Sequence, residues 1–466
     1  MSDVNDVCGL PASEIARLVR ERRLGAVEVL DAHLQQVAMH NPAVNAVISI
    51  GEPDARRRAI AADEATSRGE SWGPLHGVPM TLKDAIDVEG LRSTIGTFEL
   101  DHIAQRDSTI AARLRNAGAV IFGHSNVPGW LADNCQTSNP VFGPTRNPWD
   151  LIRTVGGSSG GAAAALAAGM TPIEVGSDMG GSIRLPAHFC GVYGLKTTEH
   201  RVPTTGFFTV PFDDRRSVRI VGGLGPMARS LSDIRLLTEI LSGPDGIDTD
   251  VPPASDPYIE CDLATMRLGV ARTLPGATVH PELSGRVQHV ADAIERAGGH
   301  IVDPPLPAID WGESTLLAAD LITAITGAFN PVADLRADQR TLAWYLAALH
   351  RRDAFISAWD GYFRDVDALI CPAAMSTAFP HQPVGQPFVI AGELVDYGGH
   401  GALHVFANLA GLPALAVPAG SSADGLPIGI QLVGPRWSDL RLIAIAHAME
   451  GVGVLPGFSR PDGLGD

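Results

Sequence analysis

Pro172-Ile173-Glu174-Val175-Gly176-Ser177-Asp178-Met179-Gly180-Gly181-Ser182-Ile183-Arg184 runs from a short apolar stretch directly into a glycine-punctuated turn. The alanine-rich run at about 159–168 precedes it, so the order reads helix, strand, glycine turn. The same alternation occurs upstream. Ser108 is placed to cap a helix carrying Ile110 and Leu114 that stops near Gly118, and Ala119-Val120-Ile121-Phe122 follows as a buried strand. It occurs again late in the chain, with Leu268-Gly269-Val270 as strand, a helix over about 282–297 ending at Gly298-Gly299, and a strand near His300-Ile301-Val302. Further strands are expected at 368–370, 414–417 and 428–433. Helices alternating with apolar strands predict an α/β protein whose sheet is covered by helices on both faces.

Residues 13–65 are helical in pattern, with Gly25 and Asn41-Pro42 as punctuation. Proline and aspartate defeat both periodicities over 244–258, which makes that stretch the best linker candidate. Strands on both sides of it are needed to complete one sheet, so the expectation is a single domain over 1–466. It divides into an N-terminal helical segment (1–70), a catalytic core (71–235), a surface excursion (244–258) and a C-terminal part (259–466) that completes the sheet. Residues 376–399, rich in proline and glycine, read as a long loop near a site.

The 466 residues, 45% hydrophobic and 19% charged, describe an ordinary globular chain able to bury a large core. A formal charge of −17 works against nucleic-acid binding, which needs clustered Lys and Arg. Five cysteines without CxxC spacing suggest neither a disulfide framework nor a thiol metal site. The histidines form no HExxH, so no metal is expected. The N-terminus carries no signal-like apolar region, and no apolar run is long enough to span a membrane, so a cytoplasmic protein without a membrane anchor is expected.

Only two of the 35 basic residues are lysines, Lys83 and Lys196, and each adjoins a glycine-punctuated segment. In a chain that otherwise uses arginine, a lysine marks a place where an amine able to lose its proton is wanted. Serine is a weak nucleophile until something takes its proton, and a neutral lysine does so if its pKa falls well below about 10.4. The competing reading pairs Lys83 with Asp84 or Asp87 as an ordinary ion pair. In Gly180-Gly181-Ser182, two glycines let successive backbone N–H groups turn toward one point, as an oxyanion requires; a plain tight turn or an anion site uses the same residues. Asp178 and Arg184 bracket this turn and are expected to stiffen it. Gly156-Gly157-Ser158-Ser159-Gly160-Gly161 satisfies G-x-S-x-G twice, so an esterase elbow at Ser158 or Ser159, with His404 or His447 as base, stays open. That reading leaves the second glycine-serine motif unexplained. No Walker loop fits, and no S-x-x-K exists, because Met80 and Tyr193 stand three residues before the lysines.

In this order the segments resemble the amidase signature family. The carriers are G-V-P-x-x-x-K-D around Lys83, G-G-S-S-G-G at 156–161, and G-S-D-x-G-G-S-I-R at 176–184 extending through Pro186-Ala187-His188-Phe189-Cys190-Gly191-Val192-Tyr193-Gly194-Leu195-Lys196. Asn147-Pro148-Trp149-Asp150, Asn408-Leu409-Ala410-Gly411-Leu412-Pro413 and Gly429-Ile430-Gln431-Leu432 extend the likeness over most of the chain. The resemblance implies the amidase-signature fold with a large mixed sheet, and a catalytic set of Lys83, Ser158 and Ser182. Ser182 is then the nucleophile, and Ser158, after a cis Gly157-Ser158 peptide, bridges it to Lys83. It further implies oxyanion donors from the backbone N–H groups of Met179, Gly180, Gly181 and Ser182, support from Ser159, no cofactor, and a homodimer. Ala132-Asp133-Asn134-Cys135-Gln136-Thr137 corresponds to substrate-lining sequence, and Phe207, Phe208 and Phe212 are read either as an apolar wall or as core. One stretch departs from the family. Where G-L-K-P-T and a Tyr-Gly-Arg stretch are frequent, this chain has Gly194-Leu195-Lys196-Thr197-Thr198-Glu199-His200-Arg201, which puts local substrate contacts in question.

The expected activity is a cofactor-independent amidohydrolase that cleaves a small carboxamide, anilide or carbamate through an acyl-enzyme on Ser182. The alternatives are the A subunit of a tRNA-dependent amidotransferase, an esterase with a Ser-His-acid triad, and a non-catalytic binding protein. If Lys83 is the base, Lys83→Ala loses less activity above about pH 9, where external base substitutes for the amine. A pH profile of the variant with the wild-type shape contradicts that role.

Overall fold

The computed structural model describes residues 4–209, 218–253, 256–327 and 340–461. Its centre is an eight-stranded mixed sheet in the order His300–Val302, Arg267–Val270, Ala368–Pro372, Pro427–Val433, Ala414–Ser421, Tyr193–Lys196, Gly223–Ala228 and Ile173–Asp178. The first three strands run parallel, and every later neighbour pairs antiparallel. Residues 173–178, 368–372 and 427–433 are buried throughout, as expected for a sheet covered on both faces. A smaller sheet places Val120–Ser125 between Val47–Ile50 and Pro79–Lys83. Pro79–Lys83 packs against Ile173–Asp178, which brings Lys83 beside the strand that opens the glycine turn.

The expected alternation is present. Ser108 caps helix Thr109–Asn116 by accepting from the Ala111 N–H, and the helix leads into Val120–Ser125. Helix Gly160–Ala167 is wholly buried, and its small residues permit that approach. A Cβ on Gly161 would strike the Asn126 backbone, and one on Gly160 the Thr137 side chain. Helix Pro281–Arg296 joins Arg267–Val270 to His300–Val302.

The structure differs from expectation at several places. The N-terminal helical stretch consists of Ala12–Arg20, Ala26–Val44 and Glu52–Ser67, interrupted by the strand Val47–Ile50. The second helix continues through Pro42, and the Asn41 carboxamide turns the chain by accepting from the Ala46 and Val47 amides. Pro79–Lys83, Tyr193–Lys196 and Gly223–Ala228 are strands that periodicity did not reveal. The described residues of 244–258 form coil between helix Leu231–Leu241 and the remainder of the sheet. The 376–399 loop contains a hairpin, Phe388–Ile390 with Glu393–Val395, followed by a 3-10 segment over Tyr397–Leu403.

Trp359 is fully buried on helix Leu342–Tyr362. Its ring stacks on Phe406 at 4.9 Å and Phe363 at 5.8 Å, with Trp311 edge-on. This cluster seats the helix against Val405–Leu409, the short helix that carries Asn408 toward the glycine turn. Trp359→Ala is expected to cost about 3–5 kcal/mol of stability, read from the shift in denaturant midpoint.

Candidate active site

Lys83 closes its strand with a side chain that is 0% exposed. Its Nζ lies 2.7 Å from Ser158 Oγ, 2.8 Å from Ser177 Oγ and 2.9 Å from Ser159 Oγ. Neither Asp84 nor Asp87 holds it. The Asp84 carboxylate accepts from Ser93 and Thr94, and Asp87 faces His102 and Thr209. Burial pushes the Lys83 amine down to about 7, against the opposing pull of the Asp178 and Glu174 carboxylates. Ser159 Oγ also receives the Ser177 N–H, and its hydroxyl points to the Ser177 carbonyl at 3.3 Å. The Gly157–Ser158 peptide is cis. The Gly157 N–H donates to the Asn134 carbonyl at 2.8 Å, which ties this segment to the 132–137 loop.

The glycine turn leaves the end of Ile173–Asp178 and feeds helix Arg184–Cys190. Asp178 and Arg184, both 0% exposed, pair in two-pronged fashion at 3.0 Å on each arm. Burial alone would raise the Asp178 pKa, but the Arg184 guanidinium and the Gly181 N–H together hold the carboxyl well below the usual range. Arg184 also donates to Asn408 Oδ1 at 2.6 Å, to Gln431 Oε1 at 3.1 Å and to the His404 carbonyl. Asn408 in turn donates to the Asp178 and Val221 carbonyls. Gly181 has φ 110°, and an added Cβ would lie 2.6 Å from His404 Nδ1, so only glycine fits there. Of the four amides expected to form an oxyanion site, that of Gly181 already donates to Asp178 at 2.8 Å. Those of Met179, Gly180 and Ser182 have no acceptor among the described residues. The Ser159 N–H donates to the Ser182 carbonyl at 3.1 Å, joining the two serine segments.

Ser158, Ser177 and Ser182 open on one cavity of about 630 Å³. Met179, Phe207, Phe208, Ile322, Ile325 and Val405 form its apolar wall, and Asn134, Thr323 and Thr326 add neutral polar groups. No charged side chain lines it among the described residues. Ala132 and Asn134 of the expected substrate loop reach the cavity, while Asp133, Cys135 and Gln136 sit behind it. The cause lies far along the chain: Tyr397 donates to Asp133 Oδ2 at 2.6 Å and accepts from Gln136 Nε2 at 2.8 Å. The Cys135 thiol meets the Tyr397 carbonyl. Phe212 lies outside the described residues.

The other sequence candidates fall elsewhere. Lys196 is fully buried and donates to the Leu412 and Thr197 carbonyls, with burial and then Arg184 pushing its amine down to about 8. The divergent stretch 197–201 lines no part of the cavity. Thr198 and Arg201 bind Asp439, and Glu199 pairs with Arg352 at 2.8 Å. Both rings proposed for an esterase triad are engaged elsewhere: His404 between the Ala373 and His400 carbonyls, His447 with Tyr258. Sequence reasoning gave no role to Ser177, Asn408 or Gln431, although each lies in a quoted motif. Among the described residues no cluster of three His, Cys, Asp or Glu could hold a metal ion, and no helix is long and apolar enough to cross a membrane.

A mixed sheet that delivers a buried amine, serine hydroxyls and a glycine turn to one cavity defines an enzyme of the amide-hydrolase class. The particular family follows from comparison: the Amidase model matches residues 28–443, and the chain belongs to that family. It is 32% identical to an indoleacetamide hydrolase of Bradyrhizobium diazoefficiens, over 95% of this chain and 87% of that protein. It is 33% identical to the A subunit of a glutamyl-tRNA(Gln) amidotransferase from a Synechococcus species, over 91% of this chain and 92% of that one. A solved bacterial aryl acylamidase of the amidase signature enzymes superposes with a TM-score of 0.84 at 27% identity, covering 96% of each chain.

Since only the free amine takes a proton, kcat/KM is expected to rise with pH through a limb near 7, the value to which burial lowers Lys83. A rate profile flat from about pH 5.5 to about pH 8.5 contradicts Lys83 as base.

Proposed function

We propose that this amidase hydrolyses an uncharged, largely apolar carboxamide, anilide or carbamate without a cofactor, through an acyl-enzyme on Ser182. The observation that carries this reading is the fully buried Lys83 amine within 2.9 Å of three serine hydroxyls. A neutral amine has two N–H groups and one lone pair. Ser159 Oγ is oriented as an acceptor, because its own hydroxyl points to the Ser177 carbonyl. With one N–H on Ser159 and one on Ser177 Oγ, the lone pair is left for the Ser158 hydroxyl, the nearest of the three.

In the resulting mechanism Ser158 passes its proton to Lys83 and takes that of Ser182 as Ser182 attacks the amide carbonyl. The amides of Met179, Gly180 and Ser182 face the developing oxyanion, while the Gly181 amide keeps the turn in shape through Asp178. Ser158 then returns a proton to the departing amine, and water hydrolyses the ester by the same path in reverse. The apolar cavity wall supports an aryl or alkyl acyl group, in keeping with the aryl acylamidase and indoleacetamide hydrolase likenesses. Five unpaired cysteines support a cytoplasmic setting. The 33% identity to an amidotransferase component favours a second reading, in which partner proteins receive ammonia released here.

Purified protein, without ATP or partners, is expected to release amine from aryl or alkyl amides. Ser182→Ala should lower that release by at least about a thousandfold. Silence across amides, anilides and carbamates, together with glutamine-dependent activity once partner proteins are added, establishes the second reading instead.

A further inference from the structure

Glu174 is a fully buried carboxyl on the strand that leads to the glycine turn, and nothing in the mechanism above uses it. Its Oε1 accepts from Thr81 Oγ1 at 2.5 Å, and its Oε2 from the Val175 N–H at 3.2 Å. Thr81 and Lys83 alternate onto the same face of Pro79–Lys83, so the hydroxyl that holds Glu174 and the catalytic amine share one side of one strand. Every described partner of Glu174 is neutral. Asp178, the other carboxylate pulling on Lys83, is balanced by Arg184.

The remaining surroundings carry little charge. Strand Gly223–Ala228 and helix Gly160–Ala167 contribute no titratable side chain, and helix Ala26–Val44, which also packs on Pro79–Lys83, brings the buried His33, whose ring desolvation holds in the neutral form. His124, on Val120–Ser125, is tied through Nδ1 to the Leu82 carbonyl, and Asp84 is absorbed by Ser93 and Thr94. Among these groups Lys83 is the cation whose field favours the Glu174 carboxylate. Burial raises the carboxyl to about 7, opposed by Thr81, Ser125, the Val175 amide and Lys83.

We propose that Glu174 is a positioning residue for the proton rather than for the substrate: across the interface of two strands, its carboxylate sets how strongly Lys83 holds a proton. Burial alone would leave the amine a weak base. The negative charge of Glu174 restores enough basicity for Lys83 to take the nucleophile's proton. The proposal rests on Lys83 being the base.

Glu174→Gln tests it, because glutamine removes the charge and keeps an oxygen for the Thr81 hydroxyl, giving up only the weaker acceptor that the Val175 N–H uses at 3.2 Å. The acid limb of kcat/KM is expected to move to lower pH by about half a unit or more, with a lower plateau from the weaker base. Thr81→Val, which withdraws the hydrogen bond favouring the carboxylate, should move the limb the same way by less, and it serves if Glu174→Gln does not fold. A purely structural role lowers the rate and leaves the limb in place, and that result, or a shift to higher pH, overturns the proposal. If the wild-type limb persists in a Lys83 variant, the base assignment itself fails, and the proposal with it.

Discussion

The buried pair of Asp178 and Arg184 is the constraint on which the site depends. Taking both charges out of water costs several kcal/mol per ion, on the order recovered only when geometry is good and every remaining donor is satisfied. Here the guanidinium is used on both edges, by Asp178 on one and by Asn408, Gln431 and the His404 carbonyl on the other. With its charge so fixed, the carboxylate holds the Gly181 and Ile183 amides and thereby the course of the chain through 179–183. Ser182 can stand where it does because residues on either side of it are tied to one ion pair.

The two lysines show how one residue type takes opposite roles in similar burial. Both are fully enclosed, and both amines are pushed downward by desolvation. Lys196 meets two carbonyl oxygens, which only accept, so its contacts reward a donor and fasten the Tyr193–Lys196 strand to Leu412. Lys83 meets three hydroxyls at 2.7–2.9 Å, which accept or donate with equal ease, and a carbonyl, that of Ser177, only at 3.5 Å. Its environment tolerates either protonation state, as a group exchanging protons requires.

Much of the fold could be read from local pattern, because a buried strand after a capped helix leaves a continuous apolar run. Pro79–Lys83, Tyr193–Lys196 and Gly223–Ala228 escaped because proline, glycine and lysine interrupt their apolar pattern; pairing with neighbouring strands makes them strands. The serine and lysine segments were legible through their glycines and the scarcity of lysine. What sequence could not convey was orientation set by distant partners. Tyr397 turns Asp133 and Gln136 away from the cavity from more than 260 positions away. Asn408 and Gln431 looked like motif residues without a task until Arg184 was seen to bind both. Thr197–Arg201, which resembled a change in substrate contacts, is occupied in joining Asp439 and Arg352 to the core.

The strands that complete the middle of the large sheet, Ala414–Ser421 and Pro427–Val433, come from the last 60 residues, and Asn408 reaches back 224 positions to Arg184. During synthesis the serines, Lys83 and the glycine turn all emerge long before the residues that hold the turn in place. The turn thus lacks these anchors until residues 408 and 431 have been made. Removing residues 408–433 would withdraw the supports of a turn that lies more than 200 positions earlier in the chain.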